Sequence, residues 1–487
     1  MAREATPGVL PSTGWLQAQP NPNGITNATR QNVSVERNIL SPNLTPERGE
    51  VVGYDVSPQI VFDLTKDMLD MLGEPLFRSL TNHSGGTGLS LFRPTAVLNG
   101  SPSSWTVAAS GGLQSGIVGY GRGFTNAANN GLHVLTTGST ATSIKTADAL
   151  VAETPPANAT FEVAGFQGVA ADLALDVNGN LTSTTADFTT MGLNVEQMIG
   201  IGDPTSGAAF AFASLVGPQF AIIAAITAHK ITLKRRTFAV AADAGTGKTI
   251  RILFTKYLQN FPMTSGSYLA APTIAMEISE PGADSGGQTD YTYLGGCGVD
   301  SVALDVSTES KVTATVKFVG MNVTEPTTTR QSGASTAFAP LATQMYSTAS
   351  QMYDIRVLNQ QSEARITEEV NSLKLTFANT VKPRKQLGIS GAAGLVYGQY
   401  APTGSLDVYM LDNGAILAAD QNTDCTLDVV MQNGDGGFAL DLPMIKLRKN
   451  QKTYAQGTAV MIAVDVVANR DPNTGVLYAI SQFAYLP

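Results

Sequence analysis

The stretch most suggestive of chemistry lies at residues 242–249, which read ADAGTGKT. Its ending resembles a relaxed phosphate-binding loop in which alanine replaces the first glycine. In a nucleotide site the backbone N–H groups would surround the phosphates, Lys248 would contact the terminal phosphates and Thr249 would bind Mg²⁺. The stretch is therefore the one candidate for a phosphate-loop NTPase.

The segments on either side of this loop do not fit a nucleotide site. Residues 233–240, LKRRTFAV, are charged where a buried strand is needed, and residues 249–254, TIRILF, alternate like another strand. A phosphate loop instead follows a buried strand and opens a helix. We therefore predict a glycine-rich β-turn at residues 242–249 and keep the NTPase as an alternative hypothesis.

A calcium loop and a nucleophilic serine are no better supported. Residues 176–187 imitate a calcium-binding loop in part, but Leu181 stands where that loop needs glycine for its sharp turn. The pair Asn178-Gly179 instead predicts a hairpin with a two-residue turn. No G-x-S-x-G motif marks a nucleophilic serine. The sequence predicts no catalytic residue.

The remaining ligand-type residues do not form a metal-binding pattern. The three histidines share no ligand spacing with one another or with the cysteines: His83, His133 and His229. Cys297 and Cys425 lie far apart in apolar, alternating segments, so we predict buried free thiols. The expectation is a protein without metal or cofactor, and not an enzyme.

The composition indicates which elements carry these residues. Only 14% of the 487 residues are charged, and 48 glycines and 24 prolines punctuate segments rich in Val, Ile and Thr. This profile is typical of an all-β protein with many short strands. The net charge of −9 disfavours nucleic-acid binding that is driven by counterion release. The sequence shows neither the pattern of a secretory signal peptide nor an apolar run long enough to predict a membrane span.

Changes in amino-acid composition along the chain predict a main domain with insertions. Residues 1–80 and 262–487 are expected to form a β-sandwich, in which a helix begins after Thr65 and ends at Gly73 and Pro75. Residues 81–187 form a Gly/Ser/Thr-rich insertion, and residues 188–261 a small β-barrel or sandwich module. The irregular arm at 1–30 and the loop at 325–347 are long enough to reach a neighbouring subunit.

Residues 438–487 look like the organising element of the main domain. They predict a first strand ending at Leu442-Pro443, a second at 460–467 and a third at 476–486. The turn residues at 471–475, DPNTG, predict a hairpin between the second and third strands. We expect this closing sheet to set the edge offered to the next subunit.

Three stretches resemble the major tail tube protein of long-tailed bacteriophages. The first contains RQNVSVERNILSP and GEVVGYDVSPQIVFDLTKDML, and resembles that family's opening strands and first helix. The second runs from YLGGCGVDSVALDVSTESKVTATVKFVGM through ITEEVNSLKLTFANTVKPRKQLGISGAAGLVYGQYAPTGSLDVYM. The third begins at FALDLPMIKL. The module at 188–254 is similar to the β insertion of longer family members, which places the GKT turn outside a nucleotide fold.

The resemblance implies a structural virion protein assembled as six-fold rings that stack into a tube. Implied partners are further copies of the chain, a tape-measure protein, and the tail terminator and distal tail proteins. Double-stranded DNA would pass through the tube without specific binding, an acidic lumen would repel it, and assembly would occur in the bacterial host cytoplasm. Charge clusters at 368–369 and 382–385 are either solvated or paired between stacked copies. A capsid or decoration protein is the structural alternative.

Overall fold

The computed structural model describes residues 1–36, 49–79, 91–110, 113–215, 217, 219–260, 272–282, 286–366, 369–410, 413–454 and 459–487. The predicted all-β class is confirmed, with 45% of residues in strands and 7% in helices. His83 lies outside the described residues. Within them, no helix has the length and apolarity that a membrane crossing would require.

The main domain contributes its first strands and one long helix before the chain leaves it. In chain order these are β1 (Ala2–Arg3), β2 (Ile25–Thr26), β3 (Gln31–Val35), β4 (Glu50–Asp55), β5 (Gln59–Asp63) and α1 (Lys66–Phe77).

The inserted residues contribute thirteen strands, with short 3₁₀ turns at Ala127–Asn129, Phe188–Thr190 and Ala208–Phe210. The strands are β6 (Leu91–Phe92), β7 (Ala96–Leu98), β8 (Ser103–Thr106), β9 (Ile117–Arg122), β10 (Gly131–Val134), β11 (Ser143–Thr146), β12 (Thr160–Gln167), β13 (Ala174–Leu175), β14 (Leu181–Thr182), β15 (Met198–Ile201), β16 (Gln219–Thr227), β17 (Lys230–Lys234) and β18 (Arg251–Leu253).

The chain then returns to the main domain. Its elements are β19 (Thr255–Gln259), β20 (Ile274–Glu280), β21 (Asp290–Ser307), β22 (Thr313–Val319), β23 (Asn322–Val323), α2 (Ser332–Ser335), β24 (Met352–Asn359), β25 (Val370–Ala378), β26 (Val381–Arg384), β27 (Gly394–Tyr397), β28 (Ala401–Tyr409), α3 (Gly414–Asp420), β29 (Cys425–Asn433), β30 (Gly436–Thr453), β31 (Met461–Ala468) and β32 (Ala479–Phe483).

One fifteen-stranded sheet organises the main domain. Its central order is β19-β32-β30-β31-β28-β25-β21-β22-β5-β2, and β24, β29, β20, β23 and β1 branch from it. Ala314 of β22 and Ile480 of β32, which are six positions apart in this order, line the same small cavity beside α1. The sheet therefore curves around its core, because a flat sheet would keep these two residues far apart.

Helix α1 packs on this core and is longer than predicted. Thr65 caps it, since its hydroxyl accepts a hydrogen bond from the Met68 N–H at 3.5 Å. The predicted end at Gly73 and Pro75 is wrong, because the helix continues to Phe77 and ends at Arg78 in the left-handed conformation. The apolar residues of the last turn are buried against the sheet, and that packing outweighs the one backbone hydrogen bond that proline removes.

The inserted residues form a second, ten-stranded sheet and a small three-stranded one. The larger sheet has the order β10-β9-β12-β18-β15-β16-β17-β14-β13, with β6 beside β12. Strands from both predicted modules, 81–187 and 188–261, lie in this sheet and share one apolar cluster. We propose that residues 91–254 act as one inserted unit; the exact boundaries stay a prediction.

The closing strands differ from the prediction in two ways. Pro443 does not end a strand, because β30 runs through it, and Pro443 lies where β30 passes from pairing with β32 to pairing with β31. A proline is tolerated there because the β29–β30 register also shifts at this point. The turn at 471–475 forms, with the Gly475 N–H donating to the Asp471 carbonyl at 2.8 Å. It is not a hairpin turn, since β31 and β32 each pair with β30 and not with each other.

The two segments expected to reach a neighbour pack on their own chain. In the arm, Trp15 is buried and β1 pairs with β20. In the loop at 325–347, the Leu341 and Ala342 N–H groups donate to the Asp67 carboxylate at 2.8 and 3.1 Å. The loop also contains α2, a short helix that the sequence pattern did not predict.

Candidate assembly surface

Two small hairpins stand apart from the large sheets. Strands β3 and β4 pair only with each other, as do β26 and β27. We call these four strands and the connecting segment 385–393 the hairpin platform. Both hairpins extend from the same end of the main sheet, because β4 leads into β5 and β26 follows β25 with two residues between them.

A backbone hydrogen bond and an ion pair hold the two hairpins together. The Tyr54 N–H donates to the Ser390 carbonyl at 2.9 Å, and the Lys385 ammonium pairs with Asp55 at 2.7 Å. Gly53 allows this approach, since a Cβ there would lie 3.0 Å from the Ser390 carbonyl oxygen. The platform is therefore one surface formed by two distant segments of the chain.

The platform carries an unusual amount of exposed apolar surface. Leu387 is 99% exposed, and a groove of about 390 Å³ lies beside it. The groove is lined by valines and isoleucine together with polar residues: Val33, Val52, Gly53, Lys385, Gln386, Leu387, Ile389 and Ser390. An exposed apolar groove of this kind is typical of a protein–protein contact.

The main sheet has a second notable surface, the face opposite its core. On β25, Leu373, Leu375 and Phe377 point inward, so Lys374 and Thr376 lie on the outer face. Register places the following residues in one row across five strands: Asp305, Lys374, Ser405, Asp465 and Arg448. This row carries charges of both signs, and Lys374 pairs with Asp305 at 3.4 Å.

A buried charge network joins the inserted unit to the main sheet. Arg235, from the inserted unit, donates to both carboxylate oxygens of Asp441 at 2.6 and 3.0 Å and to Asp428 at 2.9 Å. Its backbone N–H donates to the Glu363 carboxylate at 3.0 Å. Arg235 is in the left-handed conformation, which a non-glycine residue keeps only where surrounding contacts fix it.

The carboxylates of this network are buried away from solvent. Burial raises the pKa of Asp441 to about 7; Arg235 opposes the rise, while Asp428 and Glu196 add to it. The Arg235 guanidinium keeps its charge, because the surrounding carboxylates raise its pKa despite its burial. We call this boundary between the inserted unit and the main sheet the seam; Arg235 is the cation that Asp428, Asp441 and Glu196 share there.

A second network crosses the same seam near α1. Glu162 of β12 pairs with Lys66 and with Lys256, each at 2.9 Å. Burial favours the neutral carboxyl, but the two lysines outweigh it and lower the pKa of Glu162 to about 2. Lys256 also pairs with Asp70 at 2.9 Å, so the helix, β12 and β19 are linked by charge.

The GKT stretch is a turn, as predicted. The Lys248 N–H donates to the Gly245 carbonyl at 3.0 Å, and its ammonium donates to the Ala211 carbonyl at 2.7 Å. The strand β18 follows, where a nucleotide site requires a helix. The geometry therefore contradicts the phosphate-loop alternative.

The other predicted positions are structural. Asp176 closes the turn between β13 and β14 by accepting from the Asn178 and Asn180 N–H groups at 2.9 and 2.8 Å. The hairpin prediction is confirmed, although the connection has five residues and not two, because β13 ends at Leu175 and β14 begins at Leu181.

The described ligand-type residues stay separate. His133 lies 3.1 Å from Asp148, and His229 lies 2.9 Å from the Ala186 carbonyl. Cys297 and Cys425 are free and buried, as predicted, and burial raises the pKa of both thiols. No group of three potential metal ligands occurs in the described part of the chain.

The seam and the platform were not predicted from the sequence. Residues 233–240, LKRRTFAV, were expected to be charged and half-exposed, but Arg235 is buried and its partners lie 193 and 206 residues away. No local pattern could reveal such partners. The platform had a weak signal, since Val51 and Val52 are adjacent apolar residues in a strand whose neighbours are polar.

Comparison with known protein families found a match to part of the chain. The family described as phage tail tube protein matches residues 236–468, a range that contains β18 to β31. None of the curated proteins searched matches the chain. The matched range includes most of the main sheet and the second platform hairpin, and it leaves out β32 and nearly all of the inserted unit. Over residues 236–468, the chain is similar to the phage tail tube protein family.

Proposed function

We propose that this chain is the structural subunit of a phage tail tube and has no catalytic role. The family match over residues 236–468 carries this proposal. Copies would assemble into six-fold rings, and the rings would stack into a hollow tube within the virion, assembled in the host cytoplasm. The tape-measure, tail terminator and distal tail proteins would be its partners, as they are for the tail tube family it resembles.

The polar face of the main sheet is the proposed wall of the DNA channel. Its side chains include charges of both signs and hydroxyl groups, and the lysine on β25 is neutralised by an aspartate on β21. A mixed, paired surface offers phosphate groups little net attraction, because binding to DNA requires unpaired cations that can replace counterions. We propose this face in place of a uniformly acidic lumen.

The hairpin platform supports self-assembly as the purpose of the fold. Its exposed leucine and valines would be a solubility liability on an isolated subunit. A contact with another copy would cover them.

Electron microscopy of the purified protein tests the proposal. We expect rings or hollow tubes in negative stain at increasing protein concentration. A strictly monomeric particle at high concentration would refute the proposal, and closed shells would favour the capsid alternative.

A further inference from the structure

The two ends of the main sheet differ in chemistry. At one end Ala378 of β25 pairs with Ala401 of β28, and the hairpin platform extends beyond these residues. At the other end, which we call the far end, lie the turn between β21 and β22, the start of β25 and the end of β30. Nine residues of β25 separate the two ends, roughly 30 Å of extended chain.

The platform presents cations on β26. Lys382 and Arg384 are both exposed, whereas Lys385 is paired with Asp55. β4 has two acidic residues: Asp55 pairs with Lys385, whereas Glu50 is the first residue of the strand, four residues from the Tyr54 contact with Ser390. The positive charge is thus confined to one part of the platform, next to the apolar groove.

The far end presents carboxylates and an exposed aromatic ring. Glu309 in the β21–β22 turn and Glu369 before β25 are both exposed. Tyr454, directly after β30, is 72% exposed. Lys311 at this end is neutralised by Asp63 at 2.7 Å, and Lys452 is an exposed cation beside Tyr454.

These surfaces complement each other but cannot meet within one molecule. A pair of different, complementary patches at opposite ends of a subunit makes a head-to-tail contact, and such a contact repeats without closing. Repetition along the strand direction is the geometry that stacks subunits into a column.

We propose that the hairpin platform of one copy docks on the far end of a second copy, with Lys382 and Arg384 facing Glu309 and Glu369. In this contact the apolar groove beside Leu387 receives Tyr454 of the next copy. The inference rests on the proposed tube function, and it names the surfaces through which one ring would stack on the next.

Charge reversal tests the docking directly. We expect the double variant Lys382→Glu/Arg384→Glu to form rings but no tubes in negative stain, and Glu309→Lys/Glu369→Lys to do the same. The quadruple variant, in which both surfaces are reversed, should regain tubes. Lys452→Glu is the control, since it makes the far end more acidic and should preserve tubes.

The outcomes separate this inference from the tube function itself. Tubes formed by either double variant as readily as by the wild type would overturn the docking and leave the function standing. Failure of the quadruple variant to regain tubes would also overturn it. A wild type that forms neither rings nor tubes would refute the function. Leu387→Asp gives a second route, because it should stop stacking without changing any of the four charges.

Discussion

Replacing Arg235 by methionine tests whether one buried cation holds the inserted unit on the main sheet. The variant keeps a long side chain but removes the guanidinium that Asp428, Asp441 and Glu196 share. Asp428 keeps Arg356 at 3.0 Å and Glu196 keeps Lys234 at 2.5 Å, so Asp441 is the carboxylate that loses its cation. The side chains of Asp428, Asp441 and Glu196 are 0%, 6% and 3% exposed. Removing one partner from such a buried network costs about 3–5 kcal/mol, because uncompensated charge remains in a dry site.

The control is an ion pair on the outer face of the same sheet. Lys374 and Asp305 are 3.4 Å apart, and their side chains are 61% and 46% exposed. An exposed pair of this kind contributes about 0–1 kcal/mol, since water and salt screen it. Lys374→Met should therefore lower stability far less than Arg235→Met.

Urea unfolding followed by tryptophan fluorescence makes the comparison. The chain has two tryptophans, Trp15 in the main domain and Trp105 in the inserted unit, so single-tryptophan versions report on each part. Arg235→Met should lower both unfolding midpoints. The double variant Arg235→Met/Asp441→Asn should lose less stability than the sum of the losses in the two single variants, because it no longer buries an unpaired carboxylate at position 441. Equal midpoints for Arg235→Met and Lys374→Met would refute the reasoning.

Three further changes test other parts of the structure. The folded-state pKa of Glu162 lies below its ordinary value. The charged carboxylate therefore stabilises the folded protein above about pH 4.5, and this stabilisation is lost as the pH falls toward 2. Acid unfolding of Glu162→Gln should lack this loss of stability. Gly119→Ala would place a Cβ 2.0 Å from the buried Phe161 ring. Urea unfolding should show that this variant is less stable by about 1–3 kcal/mol. Gly49→Ala is the control: its Cβ would meet no atom closer than 3.6 Å, so its stability should be close to that of the wild type. Lys248→Ala should leave calorimetric titration with ATP flat, as in the wild type; binding that disappears in the variant would restore the NTPase hypothesis.

Local patterns in the sequence predicted much of the fold because they depend on neighbouring residues. The cap at Thr65 and the strand at 460–467 are read from a few consecutive positions, and both are confirmed. The GKT turn was predicted for the same reason, from the absence of a following helix.

The errors arise where distant segments decide the outcome. Helix α1 continues through Pro75 because its last turn packs on the sheet, and β30 continues through Pro443 because two different strands pair on either side of it. The partner of Arg235 and the meeting of Tyr54 with Ser390 depend on contacts between residues far apart in sequence. Periodicity carries no information about such contacts.

The short passage from the inserted unit back into the main sheet has a practical consequence. Only Phe254, which is fully buried, separates β18 in one sheet from β19 in the other. The connection is therefore too short to let the two sheets move independently at this point. A fluorophore attached at the exposed turn residue Val177 would therefore keep a fixed orientation relative to the main sheet. In an assembly, polarised emission from such a label would report the direction in which each subunit points.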